Sequence, residues 1–131
     1  MKYLADSDFL FGLFVAKDPH NNESKLILKR VVKNSNDLLV LNLVVQETAT
    51  VLSRKDKQST AVDFLNQFQK MPVQIILLDE EIESFSWEIF RKQTKKRTSF
   101  VDCANLATLE KYKLDGILSF DEFYPPELKV K

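Results

Sequence analysis

Very short apolar runs alternate along this chain with helix-length amphipathic segments, and that alternation constrains the fold more than any other feature. Residues 2–5, Leu38–Asn42, Val73–Leu78 and Gly116–Phe120 read as strands, the clearest being the β-branched run between Pro72 and Asp79. Helical patterns fill the gaps. The first covers 9–16, with Asp8 or Ser7 available as its cap, and the second covers Glu23–Lys33, carrying Leu26, Ile27, Val31 and Val32 at helical spacing. A third carries Val44, Val45, Ala49, Val51 and Leu52 to about Lys55, and a fourth carries Ala61, Phe64, Leu65 and Phe68. Glu80–Lys96 is expected as one long helix with Ile82, Phe85, Ile89 and Phe90 inward, followed by a helix over about Ser99–Tyr112. Strands separated by helices pair in parallel, because a parallel neighbour is reached only through a crossover. The expected fold class is therefore α/β, and such sheets bind ligands beyond the carboxyl ends of their strands.

A length of 131 residues fits one domain spanning 1–131, and only 2 Gly and 4 Pro leave little room for linkers or a disordered tail. The longest apolar run, Phe9–Ala16, is far short of a membrane span, and Asp6 and Asp8 interrupt any secretory-type apolar core. A cytoplasmic protein is expected. One cysteine excludes an internal disulfide and a cysteine-based zinc cluster, and one histidine excludes a multi-histidine site, so any bound metal must be held by oxygen. A net charge of zero means that any attraction for a polyanion must come from a local patch.

Oxygen ligands are available in suggestive places. Asp6 and Asp121 each follow an apolar strand and so fall on the same edge of the sheet, whereas Glu47 and Asp102 are set inside apolar helical patterns. Carboxylates of this kind suit Mg²⁺ or Mn²⁺, and several in one pocket repel one another unless a cation is present. Each acid also has an ordinary explanation. Asp6 and Asp121 are turn signals, Asp8 is a helix cap or a supporting partner, Glu47 borders a solvated stripe, and Asp102 suits the first turn of a helix. Arg91, Lys92, Lys95, Lys96 and Arg97 form the local basic patch, which suits RNA phosphates but equally complements the dipole of a helix that begins with Asp79, Glu80, Glu81 and Glu83. Phe9, Leu10, Phe11, Leu13 and Phe14 suit either the core or a partner surface. Cys103 has no adjacent histidine to activate it as a nucleophile, His20 falls in a polar turn, and Trp87 suits packing between helices.

Four motifs carry a family resemblance over essentially the whole chain: YLADSDFL (Tyr3–Leu10), VVQETA (Val44–Ala49), DCANLATLE (Asp102–Glu110) and ILSFDEFY (Ile117–Tyr124). In order and spacing they resemble the PIN domain, specifically the small ribonucleases of VapC type that act as toxins in toxin–antitoxin pairs. The resemblance implies a PIN-like three-layer α/β/α fold and a metal-dependent endoribonuclease. It further implies that Asp6, Glu47, Asp102 and Asp121 surround Mg²⁺ or Mn²⁺, with Ser119 and Asp8 supporting. A homodimer and a cognate antitoxin partner are also implied. Asp8 stands where the family more often has Asn or Ser, which adds negative charge near the site. Two other classes stay open: a non-catalytic binding module on the same fold, and aspartyl-phosphate chemistry, for which Asp6-Ser7-Asp8 resembles a phosphatase opening and IILLD (Ile75–Asp79) a receiver strand. The phosphate readings fit poorly, since too little chain follows Asp79 for a receiver, and the phosphatase fold is usually longer and needs a later acidic pair after a glycine.

Overall fold

The computed structural model describes residues 1–130. Strands β1 (Lys2–Ala5), β2 (Asp37–Leu41), β3 (Val73–Ile76) and β4 (Gly116–Leu118) form one parallel sheet in the order β3-β2-β1-β4. Six helices connect them: α1 (Ser7–Phe14), α2 (Asn21–Lys33), α3 (Asn42–Lys55), α4 (Gln58–Phe68), α5 (Glu80–Arg91) and α6 (Phe100–Lys111), with a final 3₁₀ turn at Pro126–Leu128. The strand order fixes the layers. From β1 to β2 to β3 the chain steps one way across the sheet, then returns past both to place β4 on the far side of β1. Right-handed crossovers therefore put α1–α4 on one face and α5 and α6 on the other. Packing agrees, with α1 against α2 and α3, α3 against α4, and α5 against α6.

Because helices cover both faces, the inner strands are apolar along their length rather than alternating. Leu4, Ala5, Leu38, Leu39, Val40 and Leu41 are buried, and each large side chain contributes roughly 1.5–3 kcal/mol to stability. Phe9 and Leu10 join this core, and Phe11, Leu13 and Phe14 pack against it half-buried, with Phe14 meeting Phe64 edge-on at 5.0 Å. The first helix is thus mainly a core element. Gly116 is required by a close approach: a Cβ there would lie 2.8 Å from the carbonyl oxygen of Leu128, where the segment after the 3₁₀ turn runs parallel beside β4. No helix among the described residues is long and apolar enough to cross a membrane.

Four expectations shift. The clearest of the expected strands, β3, is an edge strand that ends at Ile76 rather than Leu78, and Gln74, Ile75 and Leu77 are exposed, since a strand with one neighbour is covered less than its sequence suggests. Helix α5 stops at Arg91 rather than Lys96. Its apolar stripe runs out after Ile89, and Gln93–Thr98 holds nothing that packing could use to extend the helix. Leu26, Val32, Leu65 and Phe90, read as inward stripe members, are exposed, while Ile27, Val31 and Phe64 face inward. Helix α1 is capped by Asp6, whose carboxylate accepts from the Ser7 backbone N–H, and not by Ser7 or Asp8.

Candidate active site

The chain reverses its direction across the sheet between β1 and β4, and a crevice at such a switch point is where open α/β sheets bind ligands. The register Ala5↔Leu118 makes Asp6 and Ser119 the first residues beyond the two carboxyl ends, side by side. Asp6 is anchored there by its own backbone N–H, which donates to the Leu118 carbonyl at 3.0 Å. Its carboxylate is buried and accepts three bonds: Ser119 Oγ at 2.8 Å, Ser7 N at 2.8 Å and Asn105 Nδ2 at 3.2 Å.

The other acids are tied to the same frame. Asp8 Oδ2 accepts from the Phe120 backbone N–H at 3.0 Å, with Ser119 Oγ at 3.5 Å. Its Oδ1 is buried without a hydrogen-bond partner. Asp102, in the first turn of α6, accepts from Tyr124 OH at 3.2 Å, while that hydroxyl accepts from Asn105 Nδ2 at 3.0 Å. Asp121 lies at the mouth, exposed; its backbone N–H donates to Ser119 Oγ and its carboxylate accepts from the Phe123 N–H, closing the turn anticipated for it. The electrostatics follow from crowding. Burial, then the neighbouring Asp8 charge, pushes the Asp6 carboxyl up to about 8 despite the donors that oppose the shift. Burial likewise raises Asp8 to about 6, with Asp121 adding to it, and burial and Asp121 raise Asp102.

Asp6, Asp8, Asp102, Asp121 and Ser119 are therefore brought together. Glu47 is not drawn into their hydrogen bonds: it sits half-buried on α3, between the exposed Gln46 and the buried Thr48. The donor set is all hard oxygen, three of its carboxyls are held above their ordinary range, and one buried oxygen has no partner; a divalent cation such as Mg²⁺ or Mn²⁺ would relieve each of these conditions. Among the described residues no three acids stand gathered as a closed ligand cluster, and mutual repulsion of the carboxylates opposes such closure.

The basic patch divides. Arg91 ends α5, so the helix dipole accounts for that cation, whereas Lys95, Lys96 and Arg97 lie beyond it in the exposed connection leading to α6. Asp79 is engaged elsewhere. It caps α5 through the Ile82 N–H and pairs with Lys111 at 2.8 Å, which holds its carboxyl below the ordinary range, far from the behaviour of a phospho-acceptor in the crevice. Cys103 is buried, and burial raises its thiol pKa, which disfavours the thiolate. His20 is not simply solvated: its ring stacks on Phe120. Trp87 rests against Phe100 and Phe90 but is substantially exposed.

Asn105 and Tyr124 are the members that sequence reasoning passed over. Asn105 carries a signal in retrospect, a lone amide three residues after Asp102 in an otherwise apolar helical stretch. Tyr124 carries none, because its reach to Asp102 depends on how the chain folds back after β4. Tyr124→Phe is expected to lower unfolding stability by roughly 1–2 kcal/mol, since it strips Asp102 of a buried donor. Urea unfolding at unchanged m-value measures it, and an unaltered midpoint would mean that the Asn105–Tyr124–Asp102 chain contributes nothing.

A parallel α/β sheet with an aspartate-lined crevice at its switch point defines a class of small acidic-site α/β proteins. The family model of the PIN domain matches residues 3–124, and the chain belongs to the PIN-domain family. Among solved structures it is similar to the Mycobacterium tuberculosis VapC20 toxin, described as cleaving the sarcin–ricin loop: TM-score 0.79 at 22% identity, over 91% of this chain and 89% of that one. It is also similar to VapBC2 from Rickettsia felis, solved bound to a fragment of its promoter DNA: TM-score 0.74 at 15% identity, over 100% of this chain and 98% of that one. At these identities the likeness establishes the fold. No curated protein matches the sequence.

Proposed function

We propose that residues 1–131 act as one catalytic domain, a metal-dependent endoribonuclease that hydrolyses RNA phosphodiester bonds. The observation that carries this reading is the meeting of Asp6, Asp8 and Asp102 at the β1/β4 switch point, each with its carboxyl pushed upward by burial and neighbouring charge. Asp6, Asp102 and Asp121 hold Mg²⁺ or Mn²⁺, Asp8 supports them, and Glu47 is added as a ligand on the family resemblance alone. When bound, the cation supplies a water of lowered pKa and neutralises charge on the scissile phosphate. The protein's own part is positioning. Ser119 fixes Asp6, the Phe120 N–H fixes Asp8, and the Tyr124–Asn105 pair aims Asp102. Arg91, Lys92, Lys95, Lys96 and Arg97 steer the RNA backbone through phosphate contacts, a sequence-independent and salt-sensitive term.

The likeness to a sarcin–ricin-loop-cleaving toxin and to VapBC2 supports a toxin controlled by a cognate antitoxin; a homodimer and a cytoplasmic location are added on the family resemblance alone. A non-catalytic PIN module, the same fold serving as an interaction surface, is the second reading. Cleavage of a mixed pool of structured RNAs decides between them. With Mg²⁺ or Mn²⁺ the purified protein is expected to cut, and EDTA or Asp102→Asn is expected to abolish cutting. Absence of cleavage in any metal would remove the nuclease and leave the binding module, whereas cleavage that persists in EDTA would remove the metal dependence and with it both readings as stated.

A further inference from the structure

We propose that the stacked pair His20–Phe120 is a platform for a nucleobase of the RNA substrate, seated in the cleft between α1, the turn before α2, and α3. The proposal rests on the nuclease reading and deepens it by naming the part of the substrate held beside the acids. The two rings lie 4.0 Å apart at an interplanar angle of 6°. The molecule's other aromatic pairs are tilted or edge-on, with angles of 41° to 88°. A flat stack offers what an edge-on pair does not, a free parallel face onto which a further planar ring adds.

Both rings are held in place by the site itself. Phe120 lies between Ser119 and Asp121, and its backbone N–H donates to Asp8 Oδ2 at 3.0 Å, so its position is linked to the candidate catalytic carboxylates. His20 is fixed from the other side, where its backbone N–H donates to Asp18 Oδ2 at 3.0 Å and its Nδ1 lies 3.7 Å from Glu23 Oε2. With Phe120 on one face, the His20 side chain is still 46% exposed. Helix capping does not explain a histidine here. His20 occupies the N-cap of α2 and makes no side-chain capping bond, where Ser, Asp or Asn would serve the helix better.

The surroundings have the size and chemistry of a base pocket. The cleft encloses about 290 Å³, at the small end of ligand sites, and His20 shares it with Asp8, Ser7, Phe11, Asp18 and Lys55. The carboxylates of Asp8 and Asp18 repel a phosphate from the interior, and Asp18 can accept an N–H group on a base edge. Exposed Lys55, on α3, supplies the cation that a flanking phosphate needs at the rim.

The test measures binding and cleavage separately. Fluorescence anisotropy in Mg²⁺ compares a labelled single-stranded RNA with the same strand made abasic, for wild type, His20→Ala and His20→Phe. Wild type is expected to bind the intact strand roughly tenfold more tightly than the abasic one. His20→Ala should abolish that difference while melting as wild type, and His20→Phe should restore it. In steady-state cleavage His20→Ala should raise KM by a similar factor with kcat nearly unchanged. If wild type shows the base-dependent binding but never cleaves, the nuclease reading fails and the platform stands. If wild type cleaves while His20→Ala matches it in both binding and KM, or if wild type does not distinguish the two strands, the platform is overturned.

Discussion

An Asp6→Asn protein is expected to lose RNA cleavage by at least about 100-fold, the scale of removing a few kcal/mol of charge stabilisation, while folding as wild type. The loss follows from position: Asp6 is the carboxylate at the end of β1, directly beside Ser119 beyond β4. Retention of the fold follows from the hydrogen bonds. The amide oxygen can keep the Ser7 N–H and Asn105 Nδ2 as donors, and the amide nitrogen can donate to Ser119 Oγ in place of accepting from it. With its carboxyl pushed up to about 8, Asp6 without a cation is chiefly the neutral acid near pH 7, which Asn imitates closely. Single-turnover cleavage beside a thermal melt reads both effects. Cleavage retained in a variant freed of contaminating nuclease would remove Asp6 from the mechanism.

A second large effect concerns stability, pH and metal together. The folded Asp6 carboxyl lies near 8 and the folded Asp8 carboxyl near 6, both above the ordinary 3.8, so the folded state holds protons that the unfolded chain has released. Stability is then greatest below about pH 4 for this term and is lost as pH rises through the folded values, up to about pH 8. In EDTA the melting temperature of wild type is expected to fall across pH 5 to 8 relative to Asp6→Asn, by on the order of 10 °C. Millimolar Mg²⁺ or Mn²⁺ should reverse much of that fall at pH 8 and change little at pH 5, because a cation binds the form that has lost its protons. Differential scanning fluorimetry of both proteins across the pH range tests it. Parallel curves for wild type and Asp6→Asn in EDTA would show that burial does not hold the Asp6 carboxyl protonated as assigned.

Neither effect could have been sized without tertiary contacts, although the residues were visible beforehand. Alternating short apolar runs and helical patterns were enough for a parallel α/β sheet, since local periodicity and the crossover rule are properties of the chain itself. Asp6 and Asp121 were legible for the same reason, each lying just past an apolar strand, although β4 ends at Leu118 rather than Phe120 and so leaves Asp121 two residues beyond Ser119. The helix boundary at Arg91 was less so. The amphipathic pattern suggested one helix through Lys96, but a helix persists only while it has an apolar face to bury, and that ends at Ile89.

What the sequence by itself determined is the order of elements, the family motifs and the candidacy of Asp6, Asp8, Asp102, Asp121 and Ser119. The tertiary structure decided which of them meet through hydrogen bonds at the sheet edge, that β3 is an edge, and that Asn105, Tyr124 and the His20–Phe120 stack belong to the same frame. The physical reason is separation along the chain: Asp6 and Ser119 meet because β1 and β4 pair in register, and Asn105 and Tyr124 reach them because α6 and the final segment pack over that pairing. Burial raises the carboxyl pKa values only once those long-range contacts have closed, so no local pattern encodes them.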